Sequence, residues 1–272
     1  MLGNAGPHLP KSGWLMRWSK LSLQLIPRSP GGIVTTAITI VPVMVAYIAF
    51  GMTGQMTFGN DVLTRTLAEL AATPLAVLAI AYAMNRIMYA DIGIARGMAE
   101  VFHLVKPLMI RAAIISFVLN LVIGILAAVL AGDGAEQVAS GSEGRVGMGY
   151  ALALIYGAGA IETASAFLPL AMIHPFAIPA ALGIGLSMDE IRRNDELLKA
   201  KSYSTHFNLF MATGLSPILA SLVPVFLMPP VVLFLITWNY VGGREVIGGI
   251  NGNGQGAPER ERGNALHAAG SA

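Results

Sequence analysis

Residues 148–186 read MGYALALIYGAGAIETASAFLPLAMIHPFAIPAALGIGL, apolar or small at almost every position. A helix needs about 20 residues to cross roughly 30 Å of hydrocarbon, and this run is far longer. It holds one acid, Glu162, and one imidazole, His174. It reads as one span over 149–172 and then an interfacial return through His174, Pro175 and Pro179. Proline removes a backbone donor and crowds the preceding turn, so the helix is expected to break there.

The rest of the chain belongs to the same class. Hydrophobic residues make up 55% of 272 positions and charged residues 12%, outside the soluble globular range. The expected fold is an all-α membrane protein with six transmembrane helices in three hairpins. The expected spans are 33–52, 67–88, 108–131, 149–172, 204–222 and 225–241. Residues 1–32 form a cytoplasmic segment, and the Gly/Asn-rich, then charged, stretch 242–272 reads as a disordered cytoplasmic tail. No cleavable signal peptide is expected, because the first apolar run starts late and is too long for an h-region. There is no cysteine, which removes disulfides, thiolate metal sites and cysteine nucleophiles.

Between the spans lie amphipathic segments. Trp14, Trp18, Leu21 and Leu25 recur at helical spacing with Arg17, Lys20 and Arg28 among them. This predicts an interfacial helix with its tryptophans at headgroup level. Ile94, Met98, Val101 and Val105 mark a second, membrane-parallel segment that Pro107 is expected to stop. Ser187 followed by Glu190 is a capping box, opening a charged helix to about Ser202. With six spans, 15 of the 17 basic residues fall on the amino-terminal side, and only Arg65 and Arg145 on the other. By the positive-inside rule both termini are cytoplasmic, in a bacterial inner membrane.

Glu162 is the first candidate for chemistry. An ionisable group at mid-bilayer costs several kcal/mol, so it faces the bundle interior or a water-filled cavity. It serves either as a proton or cation site, or as a protonated carboxyl that locks helix packing. His174 beside a broken helix is how some transporters build a midplane site, and equally marks the end of a span. Asn120, in the third span, is a ligand or an interhelical hydrogen-bond donor. The pairs Ala153/Gly157, Gly159/Thr163 and Ala160/Ala164 are small-xxx-small spacings that let helices approach closely around Glu162.

Catalytic signatures are missing: no HExxH, P-loop, GxSxG or Gly-rich dinucleotide turn occurs. The stretch 89–97, YADIGIARG, has a passing likeness to the aspartate-rich motif of CDP-alcohol phosphotransferases. That chemistry needs further aspartates for metal, and none lies between Asp91 and Asp133. His103, His174 and His206 are too scattered in sequence to argue as a metal site. No catalytic residue, metal or cofactor is expected. The expected partners are the lipid bilayer and protein partners or a second copy through the small-residue faces, with no nucleic acid.

Gly13-Trp14 with its basic amphipathic segment, Pro30-Gly31-Gly32, the Pro175–Pro179 turn and the ending YVGGREVIG over 240–248 together resemble a bacterial inner-membrane family. It is the BPSS-type family, similar in layout to the YciC-like proteins. The resemblance implies six membrane helices and no activity. Two functions are therefore expected to compete. One is a non-enzymatic scaffold, assembly or envelope component. The other is a small permease or channel, with Glu162 coupling to protons or cations.

Overall fold

The structure, a computed structural model, describes residues 6–31, 62–131, 166–217 and 228–247. Every regular element among the described residues is helical. In chain order these are α1 (Trp14–Leu25, closed by a 3-10 turn Ile26–Arg28), α2 (Val62–Ile92), α3 (Met98–Ala131), α4 (Ala166–Ile173) and α5 (Ala177–Ile184). Then come α6 (Met188–Lys201), α7 (Tyr203–Phe210, continued by a π turn Met211–Leu215) and α8 (Met228–Ile247). Two stretches, Ala72–Ile92 and Met98–Val122, are long and apolar enough to cross a membrane. Helices α4 and α5, bent by 71°, meet the same test together as one broken span. The protein is thus an all-helical chain with two or three membrane-compatible spans among the described residues. The expected span over 33–52 and most of that over 149–172 lie outside them.

Helices α2 and α3 pack side by side as an antiparallel pair. Their short connection is pinned from α2: Asn85 Oδ1 accepts from the Arg96 N–H at 3.0 Å, and Asn85 Nδ2 donates to the Arg96 carbonyl at 2.9 Å. Gly93, at φ +71°, makes the turn out of α2 in the left-handed region that glycine enters without steric cost. On its outer face α3 leaves Ile110, Ile114, Val118 and Val122 about half exposed at four-residue intervals, an apolar stripe along the helix.

Pro107 does not end a separate amphipathic segment, contrary to the sequence expectation. Helix α3 runs through it without a break. Val101, Val105, Leu108 and Ala112 are fully buried along one stripe that crosses the proline, and Pro107 itself is exposed. The proline costs one backbone hydrogen bond, to the carbonyl of His103, and packing on α2 holds the helix regardless.

The tryptophans of α1 are also placed differently. They face protein, and Trp18 is completely buried. Its ring lies 4.7 Å from that of Trp14, 5.2 Å from Trp238 and 5.7 Å from Phe176. The exposed apolar residues of α1 are Leu15, Met16, Leu21 and Leu23. The reason lies on α8, where Gly242 leaves a hollow for Trp18 and Gly243 one for Pro179. A Cβ at Gly242 would stand 2.7 Å from both Trp18 and Phe176, so an indole fits only because the position is glycine. Accordingly α8 continues to Ile247, six residues past the expected end of the last span, because Val246 and Ile247 remain buried.

The chain turns sharply at His174–Pro175–Phe176, as the prolines predict. Pro179 then sits in the first turn of α5, where its missing N–H would have had no helical acceptor. Helix α5 is not an interfacial strip: Ala177 to Leu182 are buried against α2, α3 and α8. Asn239 Nδ2 donates to the Pro175 carbonyl at 3.1 Å and locks the turn onto α8. Gly185, at φ +66°, closes α5, and the Leu186 N–H returns to the Ala180 carbonyl at 3.2 Å. The capping box opening α6 is present as expected, with Glu190 Oε2 accepting from the Ser187 N–H at 2.8 Å.

Candidate functional site

The ends of α2, α5 and α8, the start of α3, and α1, α6 and α7 meet at one end of the molecule, and most of the described charge is there. Three groups of side chains organise it.

The first joins α1 to α8 across 228 residues of sequence. Arg17 Nη2 donates to Glu245 Oε1 at 2.5 Å and Oε2 at 2.6 Å. The Trp18 indole N–H donates to Glu245 Oε2 at 2.8 Å, and the Lys11 N–H to Oε1 at 3.0 Å. Burial works to raise the pKa of Glu245, but the Trp18, Arg17 and Lys11 donors outweigh it and hold the carboxyl below its ordinary 4.5. The second group joins α2 to α8: Asp91 Oδ2 accepts from the Tyr240 hydroxyl at 2.9 Å and pairs with Arg244. Arg244 and Glu245, adjacent in sequence, therefore clamp two different helices.

The third group is the most buried. Asp195 is 5% exposed, with Oδ1 2.7 Å from His206 Nε2 and Oδ2 2.5 Å from Lys199 Nζ. His206, on α7, is 8% exposed. A carboxylate so enclosed needs both partners, because removing it from water costs several kcal/mol. His174, fully buried, accepts the Phe176 N–H at Nδ1 at 2.9 Å, which puts the proton of a neutral ring on Nε2. Nε2 has no partner among the described residues. Beside this group opens a cleft of about 400 Å³, floored by Ile114, Ile115, Met172 and Ile173 and rimmed by Arg111, Arg192 and Lys199 together with the carboxylates Asp195 and Glu196.

Of the residues singled out from sequence, Asn120 and His174 fall in the described regions. Glu162, Ala153, Gly157, Gly159, Ala160 and Ala164 lie outside them. Asn120 Nδ2 donates to the carbonyl and hydroxyl of Ser116, one turn back, at 3.0 and 3.2 Å. The Thr73 hydroxyl of α2 donates to that same Ser116 hydroxyl at 3.1 Å. Asn120 is thus one end of a polar ladder that crosses from α3 to α2. Asn120 and His174 belong to separate clusters.

Asp195 belongs to no motif, yet its pattern is legible in the sequence. Ile191, Asp195 and Leu198 form the buried face of α6 at i, i+4 and i+7, so the acid stands in the apolar stripe of an amphipathic helix. Asp91, in the stretch with the phosphotransferase likeness, carries an ion pair with Arg244. No group of three or more metal-ligating side chains occurs among the described residues. No protein-family model, curated protein or solved structure matches the chain.

Proposed function

We propose that the protein is a non-enzymatic, multi-pass component of a bacterial inner membrane. Its charged end forms a rigid cytoplasmic collar through which it acts as a scaffold or assembly factor. The observation that carries this reading is the use to which the polar groups are put. Glu245 ties α8 to α1, Asp91 ties α2 to α8, and Asp195 ties α6 to α7, so each carboxylate is spent on holding helices together. A catalytic site keeps such groups converging on open space, where a substrate completes them. The six-span frame with both termini cytoplasmic, and the likeness to the BPSS-type and YciC-like layout, accord with the excess of basic residues on that side.

The competing reading, a permease using Glu162, is separated by one substitution. Glu162→Gln is expected to restore the phenotype of a deletion strain, change thermal stability alone and show no pH-dependent defect. Loss of proton- or cation-driven flux in membrane vesicles, with normal expression, would replace the scaffold with the permease.

A further inference from the structure

We infer that the cleft between α3, α4 and α6 is a binding site for an anionic phospholipid, its phosphate on Arg111 and Arg192 and its acyl chain along the exposed stripe of α3. The inference deepens the membrane reading above, since it takes α3 as a span.

Charge is the first support. Asp195 spends one oxygen on His206 and the other on Lys199. Glu196 reaches Arg192 only at 3.4 Å, in a pair that is 73% and 65% exposed and so contributes little. Arg111 has neither a hydrogen bond nor an ion pair among the described residues. Three cations against two carboxylates leave the rim positive, and its least committed groups are two guanidinium forks, whose geometry suits phosphate oxygens.

Shape is the second support. Ile114 and Met172 line the cleft and are also 55% and 48% exposed on the outer surface. The cleft therefore opens onto the ladder Ile110, Ile114, Val118 and Val122 that a span presents to hydrocarbon. A basic rim directly above a lipid-facing apolar stripe suits an amphiphile with a negative head. Basic pockets of this kind beside membrane helices on the cytoplasmic side recognise anionic headgroups. At about 400 Å³ the cleft is in the range of small-molecule sites.

The test uses the full chain in an uncharged detergent and reads thermal stabilisation against lipid concentration, for phosphatidylglycerol, phosphatidylcholine and soluble glycerol phosphate. Phosphatidylglycerol is expected to bind with clear preference over phosphatidylcholine, and glycerol phosphate to bind far more weakly. Arg111→Gln and Arg192→Gln should each weaken the phosphatidylglycerol response by about fivefold. A matched pair away from the cleft, Arg193→Gln with Lys20→Gln, should leave it unchanged. If one cleft variant does not fold, the other alone, read against Arg193→Gln, decides the matter.

Equal stabilisation by both lipids overturns the inference. So does an equal loss in the control pair, which would mean diffuse surface charge. Binding of glycerol phosphate as tight as that of the lipid would make the cleft a soluble-phosphate site and overturn it as well. Alkaline carbonate extraction separates this result from the premise. A chain released by carbonate refutes the spans, whereas a retained chain without lipid preference refutes only the cleft.

Discussion

Glu245 shows how much one side chain can hold. It gathers the Arg17 guanidinium and Trp18 indole N–H from α1 and the Lys11 backbone N–H from the segment before it. Glu245→Gln keeps the shape and removes the charge that these donors require. Its expected cost is about 2 kcal/mol at neutral pH, as for hydrogen bonds to a charged group. Because folding lowers the pKa of Glu245, its contribution is full above the ordinary 4.5 and disappears as pH falls through the folded value. The gap in thermal unfolding between wild type and Glu245→Gln should therefore be constant near neutrality and close in acid. A gap that stays open at low pH would show that the carboxylate charge is not what matters. Gly242 makes a second residue-scale prediction. Gly242→Ala drives a methyl to 2.7 Å from the Trp18 and Phe176 rings and should cost about 3 kcal/mol or more, visible as lost quenching and a red shift of tryptophan emission.

At the scale of the helix, α6 shows capping and burial acting separately. Ser187 and Glu190 define its start, and hydrogen bonds from Ser187 lower the pKa of Glu190, so the cap weakens as pH falls through the carboxylate range. Ser187→Ala should cost about 1 kcal/mol and speed amide exchange over the first turn only. Asp195→Ala differs in kind, because it leaves the buried His206 and the Lys199 ammonium without their anion. Its cost should be about 3 kcal/mol or more, with α7 loosening along with α6 in hydrogen exchange. If α6 alone responded, the link through His206 would be refuted. Helix α3 makes the complementary point: its buried stripe of Val101, Val105, Leu108 and Ala112 overrides Pro107.

At the scale of the whole molecule, the absence of cysteine gives a clean background for topology mapping. Single cysteines at the exposed positions Lys20, Asp189 and Tyr203 should all label from one side of sealed vesicles, the cytoplasmic side. Residue patterning alone announces a helical chain with runs apolar enough to span a membrane: such runs, the charge between them and a capping box are local features, because each helix satisfies its own backbone hydrogen bonds. The break at Pro175 is equally local. Which residues meet is not. Trp14 and Trp18 show the same periodicity whether they face lipid or protein, and it is Gly242 of α8, more than 220 residues later, that makes room for Trp18 to turn inward. Asp91, Arg244 and Glu245 look like ordinary flanking charges until α1, α2 and α8 converge. An acid in an apolar stripe, as at Asp195, announces that it has a partner but does not name it. Hydrophobicity and helix propensity act over a few residues and are written in order along the chain. Ion pairs and close packing depend on which distant surfaces fit together, and the assembled bundle decides them.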